Sequence, residues 1–320
     1  MNGRMLYRFS NSLALFARKL YHIMDVLTFG FWHCRHSQYV HMGKVALCCI
    51  AKMENEYIRF FVEYYKNLHF DKIFIYDNND PAGERFDEVI NDYIESRLVE
   101  IVDYRGRTVV QLAAYQDCYD RHGREYDWIA FFDCDEFLTF ADGTDDIHLF
   151  LRQDKYLPFQ VMHINWMVFG DSGQLDNDGR DITERLTTAI AFDTKSWAGD
   201  FRENCFVKSL VRGGLSKVVW NVDPHTPRSI YYKCCNAEGE NVKLNSPIQE
   251  DHYQTAYLRH YSTKTVGEWV CNKMQRGFPD QSEESWQRLL SLDMFFRYNK
   301  RTAEKVAYAE MMMTTMKDKQ

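Results

Sequence analysis

The chain has 320 residues and a formal charge of −7; 45% of its residues are hydrophobic and 15% aromatic. That is enough apolar material for one large α/β domain or two small ones, and the acidic balance leaves no basic footprint for nucleic acid. The nine cysteines include two adjacent pairs, Cys48–Cys49 and Cys234–Cys235, and no Cys-x-x-Cys ladder. They read as reduced thiols in a cytoplasmic protein, not as a disulfide framework or a zinc site.

Residues 1–43 read as a separate extension. Arg4, Arg8, Arg18, Lys19 and nearby Arg35 are offset by one acid, Asp25, while Leu6, Phe9, Leu13, Phe16, Leu20, Ile23 and Leu27 recur at three- and four-residue steps. This spacing predicts an amphipathic helix, either packed on the following domain or lying as a basic interfacial helix at the inner membrane face. No window of eighteen uncharged apolar residues supports a transmembrane span, and no small-residue cleavage site follows.

From residue 44 the chain alternates. Strands are expected at Val45–Ile50, Lys72–Tyr76 and Val99–Val102, and helices at Glu54–Leu68, about 84–95 and about 108–122. Asp77-Asn78-Asn79-Asp80-Pro81 is a dense turn signal. Strand–helix repeats with short connections predict an α/β fold with a mostly parallel, doubly wound sheet flanked by helices. Neither a dinucleotide glycine fingerprint nor a P-loop is present, so a nucleotide site has to be built from polar strand ends.

The next strand carries the chemistry. Trp128 to Phe132 is a continuous apolar run, as expected of a strand buried on both faces, and it stops in Asp133, Asp135 and Glu136. Ligands of open α/β sheets bind beyond the carboxyl ends of the strands. Two aspartates two residues apart there can aim hard oxygens at one Mg²⁺ or Mn²⁺ that takes its other ligands from substrate phosphates. Downstream, Trp166 and Trp220 offer sugar-stacking surfaces or core aromatics. His163 reads as a sheet residue facing an acceptor cleft, His225 as a loop residue or a ligand, and residues 285–320 as a helical segment in which Met311–Met313 have no assigned role.

Five segments in order resemble the bacterial GT-A-fold glycosyltransferases of the family-2-like and family-92-like branch, related to capsule and surface-glycan enzymes. They are residues 48–80, YDWIAFFDCDEFL (126–138), HINWMVFG (163–170), NCFVKSLVR (204–212) with Val-Asp-Pro-His (222–225), and residues 259–277. The resemblance implies a GT-A (Rossmann-like) domain over 44–284, with a nucleotide-binding half (44–140) and an acceptor half (141–284). It implies that Asp133 and Asp135 bind the metal and the donor ribose–diphosphate, and that His260 completes the metal shell. By the same analogy Asp77 contacts the base or ribose, Glu56 lies near the donor, and Lys264, Lys273 and Arg276 counter diphosphate charge.

The implied reaction moves a sugar from a nucleotide-sugar, a UDP-sugar by family analogy, to a glycan or lipid-linked glycan, with Mn²⁺ or Mg²⁺ as cofactor and inversion expected. The leaving diphosphate needs a Lewis acid and the acceptor hydroxyl needs a base; Asp171, Glu203 and Asp223 are the candidates. Two other readings use the same residues: a catalytically inactive nucleotide- or sugar-binding relative, and a haloacid-dehalogenase-like phosphatase with Asp133 as nucleophile. The phosphatase motif calls for Thr or Val where Phe137 stands. A scaffold protein would leave the carboxylate cluster unexplained.

Overall fold

The computed structural model describes residues 43–317; the expected N-terminal amphipathic helix lies outside them. The first half follows the sequence closely. Strands β1 (Val45–Ala51), β2 (Lys72–Asp77), β3 (Val99–Asp103) and β4 (Trp128–Phe131) alternate with helices α1 (Asn55–Asn67), α2 (Asp87–Glu95) and α3 (Gln111–His122). They pair in parallel in the order β3-β2-β1-β4. Alternate residues of β1 feed the two faces of the sheet: Val45, Leu47 and Cys49 pack toward Ile58, Phe61 and Val62 of α1, while Ala46, Cys48 and Ile50 pack toward Ala114, Tyr115 and Cys118 of α3. Both faces being covered, the strands need no polar alternation.

The second half departs from a mostly parallel sheet. Strand β5 (Glu136–Phe140) does not continue beside β4. The chain breaks at 132–135, and β5 joins the far edge of the sheet, antiparallel to β10 (Ala256–His260). Between them lie β7 (Val207–Arg212), antiparallel to both β4 and β6 (Val161–Val168), and the short strands β8 (Cys234–Cys235) and β9 (Asn241–Val242) pair off β6. The sheet is therefore mixed, in the order β3-β2-β1-β4-β7-β6-β10-β5. Antiparallel returns need no crossover helix, so they leave the carboxyl end of β4 open where the chain crosses. Asp133 and Asp135 occupy that crossing.

Residues 266–276 form a helical segment whose middle, Trp269–Lys273, is a π-turn, a feature that often marks functional sites. Thr265 and Glu268 form its capping box. Gly277 ends it at φ +72°, and a Cβ there would fall 2.3 Å from the Trp286 ring, so any larger residue is excluded. The chain closes with helices Glu283–Leu289, Leu292–Tyr298 and Ala303–Lys317. Phe295 and Ala309 from these pack with Trp269 in a core of their own. Among the described residues, no helix is long and apolar enough to cross a membrane.

Candidate active site

Asp133 follows β4 by two residues and is held on both oxygens. Oδ1 accepts hydrogen bonds from Gln111 Nε2 and the Tyr115 hydroxyl, each at 2.8 Å, and Oδ2 accepts one from Lys208 Nζ at 2.7 Å. Lys208, the second residue of β7, is fully buried. Burial opposes ionisation of Asp133, but the Lys208 ammonium outweighs it and holds the carboxyl below its usual range. Glu136, also fully buried and 3.9 Å from Lys208 Nζ, is pushed well above the usual carboxylate range by burial.

Asp135 faces a different set of groups. His260 Nε2 lies 3.7 Å from Oδ1, Lys273 Nζ 3.7 Å from Oδ2, and Arg276 Nη2 3.9 Å from Oδ2. Burial again opposes ionisation, and the surrounding charges, Lys273 foremost, keep the carboxylate charged well below its ordinary range. Burial lowers His260 to about 4, so at neutral pH the ring is uncharged and able to act as a ligand. Burial and the neighbouring Arg276 lower Lys273. For Arg276 the ion pair with Glu54 at 2.7 Å overcomes burial and raises it.

Glu54 organises this cationic wall. It is fully buried and also binds Lys264 Nζ at 3.0 Å, while that ammonium sits 3.4 Å from the centre of the Tyr57 ring. Met53 (φ +53°) and Lys264 (φ +51°) adopt left-handed conformations on either side of the pair, each at a cost of about 1–3 kcal/mol. Strain of this kind is retained where surrounding contacts over-determine it, and here it aims Glu54 and Lys264 at each other.

These groups open into one cavity. Asp133, Asp135, His260, Lys273 and Arg276 line it, and Glu54, Asp280, Trp166 and His225 line it too. Of the three candidate bases, Glu203 alone is on the wall. Burial raises its carboxyl, and its Oε2 has no hydrogen-bond partner. Asp171 is ion-paired with Lys305 and accepts from the Gly173 amide at 2.9 Å. Asp223 caps a turn through the His225 and Thr226 amides at 3.0 and 2.9 Å and pairs with Arg228 at 3.2 Å.

Other expected residues lie elsewhere. Asp77 is bound by Arg105 at 2.8 Å and by Asn79, in a separate groove. Glu56 is on the exposed face of α1, bonded to Asn177; Glu54, two residues earlier, takes the interior position. Lys264 reaches the cavity only through Glu54. His163 is fully buried against Gln249, and Trp220 packs on Tyr115 and Phe131 in the core. Lys208, Glu54 and Asp280 were not singled out from sequence. A lone lysine inside the apolar strand Val207–Arg212 was the available signal for the first.

Among the described residues no three His, Cys, Asp or Glu side chains converge on a metal position. Asp135 and His260 nevertheless fit a divalent ion, because such an ion takes one or two protein carboxylates and completes its shell with phosphate oxygens and water. Asp133 accepts hydrogen bonds from Gln111, Tyr115 and Lys208, so Asp135 and His260 are the less engaged pair.

A mixed α/β sheet with flanking helices and an acidic, cation-walled cavity beyond its strand ends fits a GT-A-like glycosyltransferase. The model of glycosyltransferase family 92 matches residues 44–294, and the chain belongs to that family. A glycosyltransferase family 92 protein of Oryza sativa subsp. japonica is 26% identical over 149 residues, which are 46% of this chain. The match covers 25% of that relative's own length.

Solved structures give weaker likenesses. S. aureus TarS 1–349 in complex with UDP has 8% identity and a TM-score of 0.39, covering 87% of this chain and 92% of that one. The mannosyltransferase PcManGT from Pyrobaculum calidifontis, in complex with GDP-Man and Mn²⁺, has 9% identity and a TM-score of 0.28, covering 47% and 45%. Likeness at that level says nothing about site or substrate.

Proposed function

We propose that this chain transfers a sugar from a nucleotide-sugar, of the UDP class, to a hydroxyl of a glycan or lipid-linked glycan, with inversion and with a divalent cation. The observation that carries the reading is the polarity of one cavity. Asp135, His260, Lys273 and Arg276 stand together on one wall, and Glu203, with an unpartnered oxygen, lines the same cavity. Asp135 and His260 would hold the cation, which as a Lewis acid would neutralise the leaving diphosphate.

This chain's own residues do the rest. Lys273 and Arg276 supply charge-assisted hydrogen bonds to phosphate oxygens, with Arg276 held in place by Glu54. Lys208 keeps Asp133 ionised and fixed, so the backbone that carries Asp135 does not shift. Glu203 receives the acceptor hydroxyl proton; its raised carboxyl brings its basicity nearer to neutral pH, where a general base works best. Residues 44–140 in this reading hold most of the donor, and 141–284 the acceptor together with His260. The phosphatase alternative requires Asp133 Oδ free for attack, and both of its oxygens are engaged. A cytoplasmic location with peripheral contact at the inner membrane face belongs to the same proposal. It rests on the basic, apolar-periodic sequence of residues 1–40 and is open to liposome flotation with and without that segment.

The test is nucleotide release. The protein is incubated with a panel of UDP- and GDP-sugars and Mn²⁺, and free nucleotide is measured with and without glycan acceptors. Acceptor-stimulated release from one donor, abolished in Asp135→Ala, is expected. Nucleotide binding without turnover would instead establish an inactive relative.

A further inference from the structure

The cavity has a second end, beside Glu203, whose aromatic side chains the reaction outlined above does not use. The hairpin around the Lys195–Arg202 bridge carries Trp197, which lines the cavity yet stays 37% exposed. The hairpin is rigidly tied. The Ser196 amide donates to the Phe201 carbonyl at 2.8 Å, Glu203 N–H to the Thr194 carbonyl at 3.0 Å, and Arg297 to the Ser196 carbonyl at 2.9 Å. Beside it, Phe206 stacks on His225 with centroids 4.9 Å apart, and Trp166 packs against Phe206 at 5.2 Å. Burial lowers His225 to about 4, so this wall is uncharged at neutral pH apart from Glu203.

Charge divides the cavity. Among the described lining residues the lysine and arginine side chains are Lys273 and Arg276, both at the Asp135 end. At the aromatic end Glu203 would repel an anionic ligand, and the cation beside it, Arg297, is committed to the Ser196 carbonyl. A ligand with an apolar face and hydroxyl edges suits it, since tryptophan offers a large flat apolar surface and binding sites pair such surfaces with a few polar groups.

We propose that Trp197 is the platform for the acceptor, and that the acceptor presents an uncharged pyranose ring there, with a hydroxyl directed at Glu203. The acceptor role rests on the glycosyl-transfer reading above; the binding site itself does not. Trp197 is then a specificity residue at the cavity mouth, and the sugar acceptor is neutral, neither a uronate nor a phosphorylated sugar.

The test is saturation-transfer NMR titration of methyl β-D-glucopyranoside, methyl β-D-galactopyranoside and methyl β-D-glucopyranosiduronate, on wild type, Trp197→Ala and Trp197→Phe. UDP with Mg²⁺ is titrated into the same samples, and thermal melting confirms the fold. A neutral pyranoside should bind wild type, with the uronate at least about tenfold weaker. Trp197→Ala should weaken the neutral sugar about tenfold, equivalent to the ~1.4 kcal/mol of a stacked aromatic contact. Trp197→Phe should retain most of the affinity, and UDP binding should not change in either variant. Equal pyranoside binding by Trp197→Ala, equal binding of the uronate, or no pyranoside binding to wild type would each overturn the platform. Loss of UDP binding in wild type would sink glycosyl transfer and leave the sugar site standing.

Discussion

Replacing Lys208 by Met should be among the most destabilising single changes in the domain, although it is a conservative change in volume. The Lys208 ammonium is fully buried, 2.7 Å from Asp133 and 3.9 Å from Glu136. Removing one member of a buried pair leaves an uncompensated charge and costs about 3–5 kcal/mol. At roughly 2 °C per kcal/mol for a chain of this size, Tm should fall by about 6–10 °C.

The pH dependence separates this cause from lost packing. In wild type the Asp133 carboxyl is lowered, so its contribution is present above the unfolded carboxylate pKa and is lost only as pH falls through the lower folded value. In Lys208→Met, burial is opposed only by the Gln111 and Tyr115 hydrogen bonds, and the folded pKa rises. The penalty should then grow as pH rises from about 4 to 7 and shrink again on acidification. The assay is thermal unfolding followed by circular dichroism at pH 4.5, 5.5 and 7. A Tm loss of the same size at all three values would refute the argument, as would a loss under about 2 °C at pH 7.

Three further outcomes follow from the site. Glu203→Gln should lower acceptor-dependent turnover by about 10²–10⁴-fold with donor affinity unchanged, whereas Asp171→Asn, which loses the Lys305 pair, should lower Tm and leave turnover per folded molecule intact. Manganese affinity, measured by electron paramagnetic resonance with UDP present, should be flat between pH 6 and 8, since His260 at about 4 is already neutral, and should drop as pH falls through about 4. Asp135→Asn should weaken manganese far more than Asp133→Asn does; equal losses would show that Lys208 releases Asp133 to the metal.

The parts of the molecule legible in sequence were those fixed by local pattern. The helix from Asn55 and the strand from Lys72 each announce themselves by periodicity, and an apolar strand ending in acids locates Asp133 and Asp135. Adjacent phases were harder to separate. Glu54 and Glu56 are two residues apart at the start of one helix, which puts one inside and the other in solvent, and the motif alone did not tell which. Long-range partners were not legible at all. Asp171 stood as a candidate base because Lys305, its counter-ion, is far along the chain. Nothing around Asp133 in sequence announces that Lys208 neutralises it from a neighbouring antiparallel strand. The crossing of β5 to the far edge was hidden for a similar reason, since the strand that receives residues 136–140, β10, lies far along the chain.

Calorimetric titration of UDP and GDP, with and without Mn²⁺, into wild type and Asp135→Ala tests the central claim most directly. The account predicts manganese-dependent binding of UDP that disappears in the variant. Binding of neither nucleotide under either condition, or UDP binding that survives Asp135→Ala undiminished, would contradict it.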